Sequence, residues 1–167
     1  MLPTSSGDYS FTAAIADEAA TYSLMTDVAA VIEPGDVITL SGDLGAGKTT
    51  FVRGYLKALG ITRPVRSPTY TLVELYPLGA MTVVHVDLYR VRDAGELEAL
   101  GLRDWAQQGH LWFVEWPERG AGHLPLPDLQ LGFSAGPAAH AIELQARSAA
   151  GQQWLASLQA SPDGRVS

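Results

Sequence analysis

Hydrophobic positions along the chain alternate between helical spacing and short uninterrupted runs. Leu24, Val28 and Ile32 recur at helical intervals, and Asp17 precedes them at a position suited to a helix N-cap. The next apolar run, 37–40, is rich in β-branched residues and is typical of a buried strand. The whole pattern predicts helices over 18–32, 51–59, 93–100 and 149–158, and strands over 37–40, 70–76, 81–87, 110–116, 129–133 and 141–146.

Turn and cap signals divide these elements. Residues 1–10 form a loose lead-in, and the two prolines within 61–69 predict a loop. Gly60 is placed to end one helix, and Asp93 with Glu96 resembles a capping pair that opens another. Turn-forming residues predict turns at 33–36, 77–80 and 134–137, of which the second joins its neighbouring strands into an antiparallel hairpin.

Length, composition and charge limit the classes of protein to consider. The 167 residues suit one domain, and we expect it to span 1–159, followed by a disordered tail over 160–167. The net charge of −7 argues against a free-standing nucleic-acid binder, although an RNA held mainly by a partner stays possible. Without cysteine there is no disulfide or thiolate site. The first basic residue is Lys48 and no early apolar run is long enough to span a bilayer, so we expect a cytoplasmic protein.

One segment carries a strong chemical signature. Residues 42–49 read GDLGAGKT and fit G-x-x-x-x-G-K-[ST], the phosphate-binding P-loop. The glycines let backbone N–H groups curl around phosphate oxygens, Lys48 reaches the β- and γ-phosphates, and Thr49 places a hydroxyl on Mg²⁺. The chain's own composition gives an accidental match about 0.3 % of the time, and the match lies between a predicted strand and a predicted helix.

Two acids end predicted strands after this loop. Asp87 closes the run VVHVD in the manner of a Walker B strand, and Glu115 closes LWFVE. Since ligands of open α/β sheets gather at the carboxyl ends of strands, both acids are candidates to hold metal or to orient a nucleophile. The alternative interpretation is that one of them is a solvated strand-end acid or a partner to Arg90 or Arg92. His85 shares the face of Asp87, where a hydrogen bond to the acid and a structural role are both open.

The segment Ser67-Pro68-Thr69-Tyr70 lies where switch loops occur in many P-loop proteins. Thr69 could reach Mg²⁺ when a γ-phosphate is bound, and a plain proline turn is the alternative interpretation. The residues alone do not choose between the two.

Four segments together resemble the TsaE (YjeE) family. They are GDLGAGKTTF at 42–51, SPTYTL at 67–72, HVDLYR at 85–90 and VEWPE at 114–118. Their order and spacing agree with the family over residues 17–120. The P-loop alone is typical of a whole superfamily, whereas the other three segments are far more specific.

The resemblance implies a fold, an activity and partners. The fold is a three-layer α/β P-loop NTPase with a mostly parallel central sheet and an antiparallel hairpin. The activity is Mg²⁺-dependent ATP hydrolysis, with ATP/ADP and Mg²⁺ as cofactors. It supports a TsaB–TsaD complex that forms threonylcarbamoyladenosine beside the anticodon of tRNAs reading ANN codons. The chain would contact tRNA only through that complex, and it would contact no membrane.

The resemblance also assigns site residues, each by its place in the matching segments. Glu115, Asp87 and Lys48 are catalytic, and Thr49, Glu115 and Asp87 face the metal. Trp116 follows the catalytic acid. The nucleotide-binding residues are Thr21, Gly45, Ala46, Gly47, Lys48, Thr49 and Thr50, and the switch-loop residues are Ser67, Thr69 and Tyr70. Residues 134–147 depart from the family pattern, since Arg147 is their only arginine where a more basic stretch is expected.

Two other functions are weighed against this one. A small-molecule kinase shares the P-loop, but it usually brings an arginine-rich lid to clamp the transferring phosphoryl group. Arg63 and Arg66 form the only close arginine pair soon after the loop, with Arg90 and Arg92 further on. In a nucleotide-gated adaptor, binding rather than hydrolysis performs the function. We rank the ATPase first, the kinase second and the adaptor third.

Overall fold

The computed structural model describes residues 10–106, 108–136 and 140–160, which fold around one seven-stranded sheet. Numbered along the chain, the strands are β1 Ser10–Ile15, β2 Val37–Gly42, β3 Val73–Leu78, β4 Met81–Asp87, β5 Leu111–Glu115, β6 Leu129–Ala135 and β7 His140–Ala146. Their order across the sheet is β1-β7-β6-β2-β5-β4-β3. The fold class is therefore α/β, as predicted.

The sheet is mixed rather than mostly parallel. Strands β6, β2, β5 and β4 run parallel to their neighbours in the centre. The outer pairings, β1 with β7, β6 with β7 and β3 with β4, are antiparallel. The expectation of a mostly parallel sheet is thus correct only for the centre, because hairpins reverse the chain at both sides. The predicted hairpin of β3 and β4 is confirmed.

Helices cover both faces of the sheet. One face packs against the three long helices through an apolar cluster that includes Met25, Phe51 and Leu155. The other face packs through Val84 and Trp112 against short helical segments. The long helices are α1 Glu18–Ala29, α2 Lys48–Ala58 and α4 Ala149–Gln159. The short ones are α3 Leu102–Ala106 and two 3-10 helices, Ala94–Leu100 and Pro117–Gly120. Within the described ranges, no helix is both long and apolar enough to cross a membrane.

Several boundaries differ from the predicted ones. Strand β1 was not predicted: of its residues only Ser10 fell within the predicted lead-in, and residues 11–15 were assigned to no element. Helix α1 ends at Ala29, although Val31 and Ile32 still pack against the core beyond it. Strand β3 begins at Val73 rather than residue 70, and β6 continues to Ala135, through two residues of the predicted turn. The predicted disordered tail lies outside the described residues from 161 onward.

The predicted caps are confirmed. The side chain of Asp17 accepts a hydrogen bond from Ala20 N at 2.8 Å and starts α1. Asp93 and Glu96 form the reciprocal capping box at the 3-10 helix. Gly60 follows α2 with a φ of +92°, the left-handed geometry that glycine adopts without a steric penalty.

Candidate functional site

A glycine-rich loop joins the end of β2 to the start of α2. At Gly42 φ is +136°, and a Cβ there would lie 2.4 Å from the carbonyl oxygen of Phe133 on β6, so this position admits no side chain. Gly47 occupies the N-cap of α2 with a φ of +107° and provides no side chain to cap the helix. The first N–H groups of α2 therefore stay available, and together with the helix dipole they favour an anion.

Lys48 is the first residue of α2 and is only 4 % exposed. Its amine donates hydrogen bonds to the carbonyl oxygens of Gly42 at 2.6 Å and Asp43 at 2.8 Å. Burial lowers the pKa of this amine, while the carboxylates of Glu115 and Asp87 oppose that effect. The side chain is thus a desolvated cation held against the inside of the loop.

Glu115 ends β5 and is 2 % exposed. Its two carboxylate oxygens lie 3.0 and 3.1 Å from the hydroxyl of Thr49, which follows Lys48 on α2. A carboxylate only accepts hydrogen bonds, so the Thr49 hydroxyl donates. Because the Thr49 hydrogen is committed to Glu115, the lone pairs of that hydroxyl remain for another partner.

Asp87 ends β4 and lies directly opposite Glu115 in the parallel register. Its Oδ1 accepts a hydrogen bond from the backbone N of Tyr89 at 2.9 Å. Its Oδ2 accepts hydrogen bonds from the hydroxyls of Ser67 and, at 3.3 Å, Thr69. The two strand-end acids therefore lie side by side, one bound to α2 and the other to the loop before β3.

That loop is fastened by its backbone as well as by its hydroxyls. Leu72 adopts a left-handed φ of +65°, which is uncommon outside glycine, and its N–H donates to Pro68 O at 2.7 Å. Tyr70 does not join the cavity. It is 83 % exposed, and its ring stacks on the guanidinium of Arg90 at 4.1 Å.

Trp116 follows Glu115 and also has a left-handed backbone, with φ of +58°. The Lys48 amine lies 4.3 Å from the centroid of its ring, and the ring of Tyr89 lies 5.2 Å away. A cation over an indole face is attracted by the ring quadrupole. Trp116 therefore forms a wall of the cavity and restrains the buried lysine.

Two cavities open on either side of the glycine-rich loop. The first, of about 280 Å³, brings together most of the predicted site residues and is lined by Leu44, Gly45, Gly47, Lys48, Thr49, Thr50, Ser67, Thr69, Asp87, Tyr89, Glu115 and Trp116. Its lining carries one lysine against two carboxylates.

The second cavity, of about 300 Å³, shares three loop and helix residues with the first. Thr21 and Ala46, both predicted as nucleotide-binding, lie here. The rest of its wall comes mainly from the start of α1 and from β6 and β7; the complete lining is Ile15, Ala16, Asp17, Glu18, Thr21, Gly45, Ala46, Gly47, Thr50, Phe133, His140 and Ile142.

Sequence reasoning missed several of these residues. Leu44 and Tyr89 adjoin predicted residues, and their position in the matching segments was the available signal. Phe133, His140 and Ile142 had none, because only the pairing of β6 with β2 and of β7 with β6 brings them beside the loop. His85, for which two interpretations were open, contacts Glu115 rather than Asp87, with Nε2 2.7 Å from Oε1.

Comparisons with known proteins agree on one family. Residues 15–145 match the model of "Threonylcarbamoyl adenosine biosynthesis protein TsaE". A protein of Haemophilus influenzae named "tRNA threonylcarbamoyladenosine biosynthesis protein TsaE" is 42 % identical over 123 residues, which are 74 % of this chain and 78 % of that protein. A protein of the same name from Bacillus subtilis is 47 % identical over 62 % of this chain and 64 % of its own length.

A solved structure supports the same assignment. The crystal structure of Bacillus subtilis YdiB superposes with a TM-score of 0.76 and 32 % identity, over 90 % of this chain and 94 % of that one. The agreement extends beyond the glycine-rich loop to nearly the whole described fold. The chain therefore belongs to the TsaE family of proteins, which take part in the biosynthesis of tRNA threonylcarbamoyladenosine.

Proposed function

We propose that this protein is a Mg²⁺-dependent ATPase with a P-loop NTPase fold. One observation carries the proposal: Lys48, Thr49, Asp87 and Glu115 line a single cavity at the open N-terminus of α2. These groups come from three separate elements, so a shared cavity is not a consequence of their spacing in sequence. The arrangement supplies what phosphoryl transfer needs, namely positioning and electrostatic stabilisation.

The β- and γ-phosphates would lie in the glycine-rich loop. The first N–H groups of α2 point toward this position, and Gly45 and Gly47 leave room for the backbone to approach the phosphates closely. The Lys48 amine would exchange its two carbonyl contacts for phosphate oxygens. Because the amine is already desolvated, such a charge-assisted hydrogen bond forms with little further loss of hydration.

The donor set fits magnesium. Thr49, Asp87 and Glu115 offer hydroxyl and carboxylate oxygens, the hard ligands that Mg²⁺ prefers. Within the described residues no group of three or more acidic, histidine or cysteine side chains could hold a metal by itself. Such a site fits an ion that also takes ligands from substrate phosphates. The bound ion would neutralise the negative charges of the phosphates and of the two acids.

The two acids also have a role in the hydrolysis step. Asp87 and Glu115 are the carboxylates of this cavity, and each can accept a hydrogen bond from an attacking water. Glu115 is the nearer to the Thr49 hydroxyl, which assigns it to the metal side of the site. Asp87 binds Ser67 and Thr69, which makes its position depend on the loop that carries them, in the manner of a switch.

The nucleoside end of ATP would occupy the second cavity. Its shared residues Gly45, Gly47 and Thr50 make it continuous with the phosphate site, and Thr21 lies on its far wall. Apolar contact from Phe133 and Ile142 suits a base, and Ala46 contributes to the same wall.

We further propose that ATP hydrolysis serves a TsaB–TsaD complex in the cytoplasm, and that the chain meets tRNA only through that complex. Membership of the TsaE family supports the pathway. The cavity accounts for every catalytic group identified in the chain, so the transfer of a threonylcarbamoyl group to adenosine is assigned to the partners.

A reconstituted assay tests this function. ATP, tRNA and a preformed activated threonylcarbamoyl donor are incubated with this protein, with TsaB and TsaD, or with all three, while phosphate release and tRNA modification are measured. We expect slow hydrolysis by the chain alone, a changed rate with the partners, and sustained modification only when all three are present. Sustained modification by TsaB and TsaD without this chain contradicts the proposal.

Glu115→Gln separates hydrolysis from the two alternative functions. We expect this variant to lose about 10²-fold or more in kcat while its nucleotide Kd changes little, because the acid acts mainly in the transition state. Undiminished tRNA modification by the variant would favour an adaptor, and ATP-derived phosphate on a small acceptor would favour a kinase.

A further inference from the structure

His85 is a polar side chain in an apolar position. It lies on β4 between Val83, part of the core beneath the long helices, and Asp87, and it is 0 % exposed. On neighbouring β5 it is aligned with Phe113, which is also fully buried. Burying an imidazole costs free energy unless its nitrogens find partners.

Only one of the two ring nitrogens has a partner. Nε2 lies 2.7 Å from Oε1 of Glu115, whereas the buried Nδ1 has no hydrogen-bond partner among the described residues. Because a carboxylate accepts hydrogen bonds, we assign the hydrogen to Nε2, which donates to Glu115. A histidine retained for stability alone would be expected to satisfy both nitrogens.

The contact falls on the carboxylate that the proposed activity uses most directly. Thr49 holds Glu115 from α2, at 3.0 and 3.1 Å, and His85 holds Oε1 from the interior of the sheet. Two donors from different elements therefore fix the rotation of a side chain that has three rotatable bonds. Without His85, only the Thr49 hydroxyl would orient the carboxylate, and that hydroxyl must also serve the metal.

We propose that His85 is a positioning residue for the proposed hydrolysis: it donates from Nε2 to Glu115 and holds that carboxylate in its working orientation. This inference rests on the proposed function. His85 touches neither nucleotide nor metal, and its whole effect passes through Glu115. Outer partners of metal-binding and catalytic side chains typically change activity by 10–100-fold when removed.

Kinetics of a double-mutant cycle test the proposal. We expect His85→Leu, which suits the apolar surroundings, to lower kcat by about 10–100-fold with nucleotide Kd changed less than about threefold. His85→Gln retains an N–H donor of similar reach and should recover part of that loss. In a Glu115→Ala background, His85→Leu should have no further effect, because the partner is already absent. The control is His110→Gln, at the opposite end of β5, which should match the wild type.

A spectroscopic readout does not depend on hydrolysis. In the full chain labelled with ¹⁵N-histidine, NMR should show one imidazole with a protected Nε2–H. His85→Gln should remove that signal, and Glu115→Ala should shift it. Circular dichroism and thermal unfolding of each variant establish that it is folded.

The two readouts distinguish failure of this inference from failure of the proposed function. An equal loss of kcat on adding His85→Leu to the wild type and to Glu115→Ala overturns the positioning role, since the residues would then act independently. An NMR signal for His85 that is insensitive to Glu115→Ala overturns it as well. If the wild type hydrolyses no ATP with or without its partners, the proposed function fails whatever the NMR result.

Discussion

At the scale of single residues, Lys48 concentrates the chemistry of the site. Among described side chains it is a buried cation surrounded by carbonyl oxygens, an indole face and two nearby carboxylates. Burial disfavours the charged form of the amine and lowers its pKa, and the carboxylates of Glu115 and Asp87 partly offset this effect. The charged state of Lys48 therefore depends on both acids. Burying a charged amine costs free energy of folding, so we expect Lys48 to contribute to ligand binding rather than to stability.

Lys48→Ala should weaken nucleotide binding by about tenfold or more. A charge-assisted hydrogen bond to phosphate is worth ~1.5–3 kcal/mol, and no other lysine or arginine lines this cavity within the described residues. Titration with a fluorescent ATP analogue measures the effect. The chain's one other lysine, Lys57, is exposed on α2 and provides the matched control: Lys57→Ala should bind as the wild type does. Unchanged affinity in a folded Lys48→Ala protein would show that phosphate binds elsewhere.

At the scale of elements, the site depends on how closely β2 and β6 approach where the loop begins. The absence of a side chain at Gly42 lets the carbonyl of Phe133 lie against the backbone. That contact sets the direction in which the chain leaves β2 and therefore where α2 presents its first N–H groups. The same strand pairing brings Phe133 into the second cavity.

Gly42→Ala should destabilise the protein by at least about 2 kcal/mol and weaken nucleotide binding. Alanine disfavours a φ of +136°, and its Cβ would meet the carbonyl oxygen of Phe133 at 2.4 Å. Urea unfolding and nucleotide titration measure the two effects. Gly35→Ala is the control, because φ there is also positive, at +95°, but no atom lies within 4 Å of the new Cβ. It should cost only about 1 kcal/mol. Equal losses for both variants would show that backbone strain alone matters.

At the scale of the whole molecule, acidic residues affect both the free energy of unfolding and the binding of partners. Asp36 lies in the turn before β2, is 8 % exposed, and accepts a hydrogen bond from Glu33 N at 2.5 Å. Burial raises the pKa of its carboxyl to about 6; the hydrogen bond opposes this, and the charge of Asp128 adds to it. The folded state therefore retains a proton that the unfolded chain releases above about pH 4.

Asp36→Asn should stabilise the protein at pH 8 by about 3 kcal/mol and make no difference below about pH 4. With a raised pKa, the contribution of Asp36 is fully present below pH 4 and is lost as the pH rises through 6. Asparagine keeps an oxygen for Glu33 N without ionising. Urea unfolding from pH 4 to 8 measures the effect, with the exposed Glu143→Gln as control. A stability difference that does not vary with pH would contradict the raised pKa.

The isolated chain should bind tRNA weakly and should modify none. With 18 acidic residues against 11 basic ones, its surface as a whole repels a polyanion. Filter binding at increasing salt concentration measures the affinity, and we expect weak binding that disappears at physiological ionic strength. Tight binding that resists salt would reveal a basic surface and would contradict contact with tRNA only through partners.

The sequence by itself determined the local chemistry and most of the order of elements. The loop at 42–49 required its glycines and lysine together, and this pattern is rare enough to identify the loop and its flanking strand and helix. The caps at Asp17 and Asp93 could also be predicted, because a cap involves residues only a few positions apart. The hairpin of β3 and β4 followed from turn chemistry for the same reason.

Only the tertiary structure decided which distant groups meet. β1 was missed because its segment is held by pairing with β7, more than a hundred residues away. The parallel register of β4 and β5 sets Asp87 beside Glu115 and Phe113 beside His85, and the His85 ring reaches diagonally to Glu115 rather than to the acid on its own strand. Strand spacing does not choose between the two acids, because Asp87 on the same strand and the diagonal neighbour Glu115 are each about 6–8 Å from His85 along the sheet. The folded loop before β3 decides, because both Asp87 oxygens already accept hydrogen bonds from Ser67, Thr69 and Tyr89 N, whereas Glu115 remains available to the ring.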